Sequence, residues 1–304
     1  MKVRKLFGDK KFYAMVLGVA VPIVIQNGIT NFVSLLDNIM VGRIGTEQMS
    51  GIAIVNQLLL VFNLAIFGAI SGAGIFGAQF FGCDDHKGVQ QTFRFKLYIC
   101  CAIVALGILV LLFKGDSLIL LYLHGEGNDV ALEATLGYGR QYLLVMLTGL
   151  LPFAIEEIYA STLRECGETK LPMVAGVAAV CVNLALNYLL IFGKLGFPAL
   201  GVVGAAVATV ISRYVQAFIV IIWTHTHARR MPFIRGAYRE LKIPAVLAGK
   251  IVRKGTPLLI NEILWAAGMA ALNQCYSMRG LDAVAAMNIS GTISNLFNIV
   301  FMSL

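Results

Sequence analysis

Charge is what this sequence has least of. Only 13% of its 304 residues are Asp, Glu, Lys or Arg, against about 25% in an ordinary soluble domain. Hydrophobic residues make up 59% and the mean hydropathy is +0.82. A soluble chain of this length would need far more charge to cover its surface, so the surplus apolar surface must face lipid. Metal-type spacing is also missing. The six cysteines (Cys83, Cys100, Cys101, Cys166, Cys181 and Cys275) include no C-x-x-C pair and mostly fall inside apolar runs. That argues against a disulfide framework or cysteine metal site, and the cysteines read as small apolar fillers. His225 and His227, an H-x-H pair in a basic stretch, read as solvated. There is no Gly-rich phosphate loop, nucleophile elbow or metal-ligand cluster, so an enzyme reading has no support. The first apolar stretch is too long for a signal-peptide core, and no small-residue cleavage pattern follows it.

What is present is a series of long apolar runs. Crossing the hydrocarbon core takes about 20 residues of helix. Eight segments qualify: 12–41, 49–81, 91–113, 136–162, 171–193, 202–224, 251–277 and 284–304. The runs are continuous and too long for strands, so the expected fold class is all-α, a polytopic helical membrane protein. Pro22 in segment 1 and Pro257 in segment 7 are expected to kink their helices.

The basic residues set the orientation. Of the 24 Lys and Arg, Arg213 lies within segment 6 and five (Arg43, Lys114, Arg140, Lys194 and Arg279) fall on one side. The remaining eighteen fall on the other, Arg94 and Lys96 among them. Positive-inside asymmetry then places the N-terminus in the cytoplasm, in an inner (plasma) membrane. The net charge of +8 accordingly faces anionic lipid rather than nucleic acid. Residues 226–250 form the one long polar connection, whose Arg-rich part is read as lying on the membrane surface.

Segments 1 and 2 align without a gap onto segments 7 and 8 at an offset of 235 (257 − 22). Pro22 meets Pro257, Ile25 meets Ile260, Asn38 meets Asn273, Gly45 meets Gly280 and Ile54 meets Ile289. Six spans separate the copies, so both run the same way through the membrane, as in transporters built from two rocking halves. The expected layout is a first lobe at 1–225 with helices 1–6, an inter-lobe loop at 226–250, and an incomplete second lobe at 251–304. A complete pair of copies would hold about 470 residues, so the chain is expected to be truncated inside the second lobe.

Several stretches together resemble the multidrug and toxic compound extrusion (MATE) family. Pro22–Gln26 through Leu36-Asp37-Asn38-Ile39-Met40-Val41-Gly42-Arg43-Ile44-Gly45 resembles its opening helix and loop. Leu163-Arg164-Glu165-Cys166-Gly167-Glu168-Thr169-Lys170-Leu171-Pro172 is similar to its loop between helices 4 and 5. Asn183–Tyr188, Gly201–Thr209 and Gly255-Thr256-Pro257-Leu258-Leu259-Ile260-Asn261-Glu262 complete the set in the family's order. The resemblance implies two six-helix lobes around a central cavity, and export of organic, often cationic compounds in exchange for sodium ions or protons, with no other cofactor.

Ionisable groups inside spans are costly and are functional candidates by default. Asp37 lies six residues before Arg43, about 9 Å below the outer loop. A carboxylate there can take a proton or, with oxygen partners, a sodium ion. Asn183 and Asn187 share a helix face at i, i+4, and Thr209 lies on segment 6. The resemblance implies that Asp37, Asn183, Asn187 and Thr209 form the first-lobe cation or proton site. Where this chain has Asn187 some members carry an acid, so one negative charge fewer is available for sodium. Glu262 lies eight residues beyond Lys254, about 12 Å into segment 7. The resemblance places it in the second-lobe cation site. Each has a plainer reading: Asp37 as an interfacial carboxylate, the Asn pair and Thr209 as helix-packing groups, Glu262 as a hydrogen-bonded acid. Gln26 and Arg213 are candidate cavity-lining or buried polar groups, while Glu156 and Glu157 read as interfacial. The expected partners are small organic substrates and membrane lipids, with no nucleic acid. Two alternatives stand beside antiport: a flippase of lipid-linked oligosaccharides, which would want more Lys and Arg inside the lobe than Arg213 alone, and a non-transporting membrane fragment.

Overall fold

The computed structural model describes residues 9–122, 129–239 and 242–277, with positions 290 and 294. Predicted segment 8, at 284–304, therefore lies outside the described stretches. The helices are α1 (Lys10–Gly42), α2 (Thr46–Gly82), α3 (His86–Tyr122), α4 (Asp129–Leu147), α5 (Leu150–Glu165), α6 (Lys170–Phe192), α7 (Gly201–Thr226) and α8 (Ala245–Ser277). Among the described residues there is no strand. Five helices are each long and apolar enough to cross a membrane, and α4 with α5 make a sixth span if counted together. The chain is a multi-pass helical membrane protein, as its composition requires.

Local chemistry explains the boundaries. Asp9 caps α1 by accepting the Phe12 amide at 2.8 Å, and the Asp85 carboxylate accepts the Gly88 amide at 3.0 Å at the start of α3. These carboxylates satisfy amide donors that a helix start leaves without partners. α1 and α8 run through Pro22 and Pro257 respectively. Their first residues, Lys10 and Ala245, stand at the same 235-residue offset as the prolines (245 − 10).

Two segments depart from expectation. α3 does not end near residue 113 but continues through Lys114 and Asp116 to Tyr122. Segment 4 is not one helix but two, bent by 47° at Thr148–Gly149. Pro152 supplies the reason: it has no amide to donate to the carbonyl four residues back, and its ring clashes with that carbonyl. The residue four back is Thr148, the first of the two residues in the break.

α2 lies at the centre, against α3, α4, α5 and α8, while α6 pairs closely with α7 and α1 packs on α6. The contact with α8 runs through glycine: a Cβ on Gly72 would lie 2.6 Å from the Gly255 Cα. The buried core draws on Val55, Ile66, Phe93, Met146, Ile158, Leu163 and Val220, and the outward faces are also apolar, with Phe113 and Leu106 exposed.

The connection after α7 does not spread as a polar strip. It folds through a 3₁₀ turn, Pro232–Ile234, and buries Met231, Phe233, Ile234 and Ala237 against the lobe. Gln90 Nε2 donates to the carbonyls of Phe233 (3.1 Å) and Arg235 (2.8 Å). Arg94 donates from Nε to Ala237 (2.7 Å) and from Nη2 to Gly236 (3.0 Å). The ring of Phe93 packs on Tyr159, Phe233 and Tyr238. The Tyr159 hydroxyl bonds Tyr238 and lies 3.1 Å from His225 Nε2. Residues 227–239 are thus a strap tied down by side chains of α3 and α5.

Candidate functional site

Three of the residues expected in the first-lobe site come together. On α6, Asn187 Nδ2 donates to Asn183 Oδ1 at 3.1 Å, and Asn183 Nδ2 reaches across to Thr209 Oγ1 on α7 at 3.3 Å. The Thr209 hydroxyl in turn donates to the Ala205 carbonyl at 2.9 Å. Asn183 and Asn187 are 6% and 2% exposed, buried deeply enough that this polar chain is held in place. It ties the α6–α7 pair together and presents amide and hydroxyl oxygens, the donor type that hard cations take.

α1 packs along the same α6: a Cβ on Gly176 would lie 3.2 Å from Gln26 Nε2. Gln26 therefore sits at a helix interface, half-buried. Asp37 belongs to α1, but its side chain lies outside the described atoms, so its approach to the Asn pair is not part of the observed geometry. Glu262 lies on α8, half-buried, on a helix whose flanking residues Asn261 and Ile263 are exposed. An open depression of roughly 610 Å³ along α8 is lined by Arg253, Thr256, Pro257, Ile260, Asn261 and Leu264. Glu262 lies on α8, which packs against α2, whereas Asn183, Asn187 and Thr209 lie on α6 and α7. Among the described residues no cluster of three His, Cys, Asp or Glu side chains could hold a metal ion.

Arg213 has neighbours that sequence did not name. Its guanidinium lies 5.0 Å over the Phe153 ring and donates to the Gly149 carbonyl at 3.4 Å. The next residue, Tyr214, donates its hydroxyl to the Thr148 carbonyl at 3.4 Å. Consecutive side chains of α7 thus cap the two carbonyls at the α4–α5 break.

A buried ion pair was not read from the sequence. Lys96 is fully buried, and its Nζ donates to Glu165 Oε1 at 2.5 Å and to Ser161 and Thr162 at 3.1 Å each. The other carboxylate oxygen, Glu165 Oε2, is buried with no hydrogen-bond partner among the described residues. α2 makes room with Gly74, where a Cβ would stand 2.8 Å from Glu165 Oε1. Arg94 and Lys96, counted in sequence among the inner-surface charges, are both interior. Arg213 is accordingly not the only cation inside the lobe. The signal was available: both residues fall within the bounds of segment 3. Glu156, read as interfacial, is also buried at 3% exposure.

Comparison with known proteins settles the family. The MatE family model matches residues 22–189, more than half of the chain. The chain belongs to the MatE family. Curated relatives of this MatE chain include the probable multidrug resistance protein NorM of Thermotoga maritima, 29% identical over 91% of the chain and 57% of that protein. The probable multidrug resistance protein YoeA of Bacillus subtilis is 26% identical over 93% of the chain and 60% of its own length. Solved structures share the fold. A MOP superfamily transporter from Pyrococcus furiosus superposes with a TM-score of 0.82 at 20% identity, covering 95% of this chain and 61% of its own. A multidrug resistance MATE family transporter in an outward-facing conformation gives the same TM-score, identity and coverage. The MatE chain thus spans about three-fifths of the length of the relatives it matches.

Proposed function

We propose that the complete protein is a secondary active antiporter of the cell (plasma) membrane, N-terminus cytoplasmic, that exports organic and mainly cationic compounds in exchange for sodium ions or protons. The observation that carries this reading is the buried Asn187–Asn183–Thr209 chain. It supplies neutral oxygen donors on α6 and α7, and α6 packs against α1, the helix that bears Asp37. A cation loaded at Asp37 can draw on these oxygens in one packing of α1 against α6 and not in another. A ligand shifts such an equilibrium only by its differential affinity for the two states. The names of the curated relatives point the same way, as multidrug resistance proteins. An oligosaccharide flippase would need free cations for phosphates. Lys96 is committed to Glu165, and Arg94 to strap carbonyls.

The test uses the full-length protein in energised vesicles loaded with a cationic dye. Asp37→Asn should abolish dye export driven by a sodium or proton gradient while expression and helix content stay unchanged. Export at the wild-type rate would remove Asp37 from the mechanism and with it this reading.

A further inference from the structure

The antiport reading leaves one buried carboxyl group without a task. Glu156 lies on α5, four residues after Pro152, where the helix has just resumed beyond its break. It stands nine residues before Glu165, about 14 Å along the helix from its inner end. α5 packs against α7, where Gln216 and Arg213 come within electrostatic reach of Glu156. Arg213 is nevertheless engaged elsewhere, over Phe153 and on the Gly149 carbonyl. Among the described residues Glu156 enters no ion pair, whereas its more exposed neighbour Glu157 pairs with Arg164 at 3.4 Å.

The surrounding helices supply no replacement. The one charged residue of α2 is Glu47, in its first turn. The interior cations of α3 are taken, Lys96 by Glu165 and Arg94 by the strap. Arg140 of α4 faces Asp116 at 3.7 Å on an exposed surface, and the one charged residue of α6 is Lys170, its first. The charges acting on Glu156 are therefore Glu157 and Arg164 on its own helix and Arg213 on α7. A carboxyl held inside a membrane span without a paired cation is costly to keep charged and is a functional candidate by default, proton relays being one such use.

We infer that Glu156 is a second proton-exchanging carboxyl of the first lobe, separate from the Asp37 set and set against the α4–α5 break. Its charge acts on a movable partner. When Glu156 is ionised, the guanidinium of Arg213 is attracted toward it and away from the Gly149 carbonyl. When Glu156 is neutral, Arg213 remains on the broken helix end. Proton loading is thereby linked to how α7 holds the break between α4 and α5. The use made of the proton rests on the antiport reading; the proton site does not.

The experiment is mass-spectrometric mapping of dicyclohexylcarbodiimide, which modifies protonated carboxyls in apolar surroundings, on the wild-type chain reconstituted in lipid vesicles. We expect adduct on Glu156 at acidic pH, falling at least about tenfold toward alkaline pH and persisting in Asp37→Asn. Arg213→Gln should shift this pH profile. Absence of adduct at every pH would overturn the inference. So would labelling that is the same at every pH, since that describes a permanently protonated structural acid. Either failure leaves the antiport reading standing. Intact pH-dependent labelling in a full-length protein that moves no dye would instead sink the antiport reading alone.

Discussion

The ammonium of Lys96 and the carboxylate of Glu165 meet at 2.5 Å in the interior between α3 and α5, with Lys96 fully buried and two hydroxyls, Ser161 and Thr162, completing its donors. Breaking such a pair from one side strands a buried charge and costs about 3–5 kcal/mol, whereas replacing both partners is far milder. Lys96→Met should therefore lower the thermal midpoint in detergent strongly. Lys96→Met with Glu165→Gln should recover most of the loss. Additive losses in the double variant would mean that the two side chains act independently.

Arg94 anchors the strap. Its guanidinium donates to the Ala237 and Gly236 carbonyls at 2.7 and 3.0 Å and to Gln90 Oε1 at 3.1 Å. Hydrogen bonds to a charged group contribute about 1.5–3 kcal/mol each. Arg94→Ala should thus raise hydrogen exchange and protease sensitivity across 227–239 by more than tenfold with little change in α6 or α7. Arg94→Lys should rescue only in part, because an ammonium cannot present the forked geometry that spans two successive carbonyls. Protection unchanged in Arg94→Ala would mean that the apolar contacts of Phe233 and Ile234 suffice.

Much of this arrangement could be read from the residues, and the failures have physical causes. Long apolar runs place six spans because the bilayer leaves helices few alternatives, and the i, i+4 spacing brings Asn183 and Asn187 onto one face. The 47° break was also written in segment 4, as Pro152 behind Gly149, but hydropathy is blind to a missing amide. Arg94 and Lys96 were assigned to the surface because a basic side chain near a span end ordinarily snorkels outward. Only tertiary structure reveals that Glu165 and the strap carbonyls await them inside. The strap itself looked polar because its composition is basic. Its four buried apolar side chains are too few and too irregularly spaced to register as a pattern.

Asn187 tests the sodium half of the cation question. The residue is 2% exposed and donates to Asn183 Oδ1 at 3.1 Å. Asn187→Asp removes that donor and sets two acceptors against each other in a buried site. Without a ligand this should cost about 1–3 kcal/mol. A sodium ion between the new carboxylate and the Asn183 carbonyl would satisfy both, since hard cations take oxygen ligands. A ligand that binds only the folded state raises stability in step with its concentration. The thermal midpoint of Asn187→Asp should therefore climb with added sodium chloride and not with an equal concentration of choline chloride, while the wild-type midpoint responds much less. A wild-type response as large as the variant's would mean that the amide already serves as a sodium ligand. No sodium response in either would move the coupling cation toward the proton.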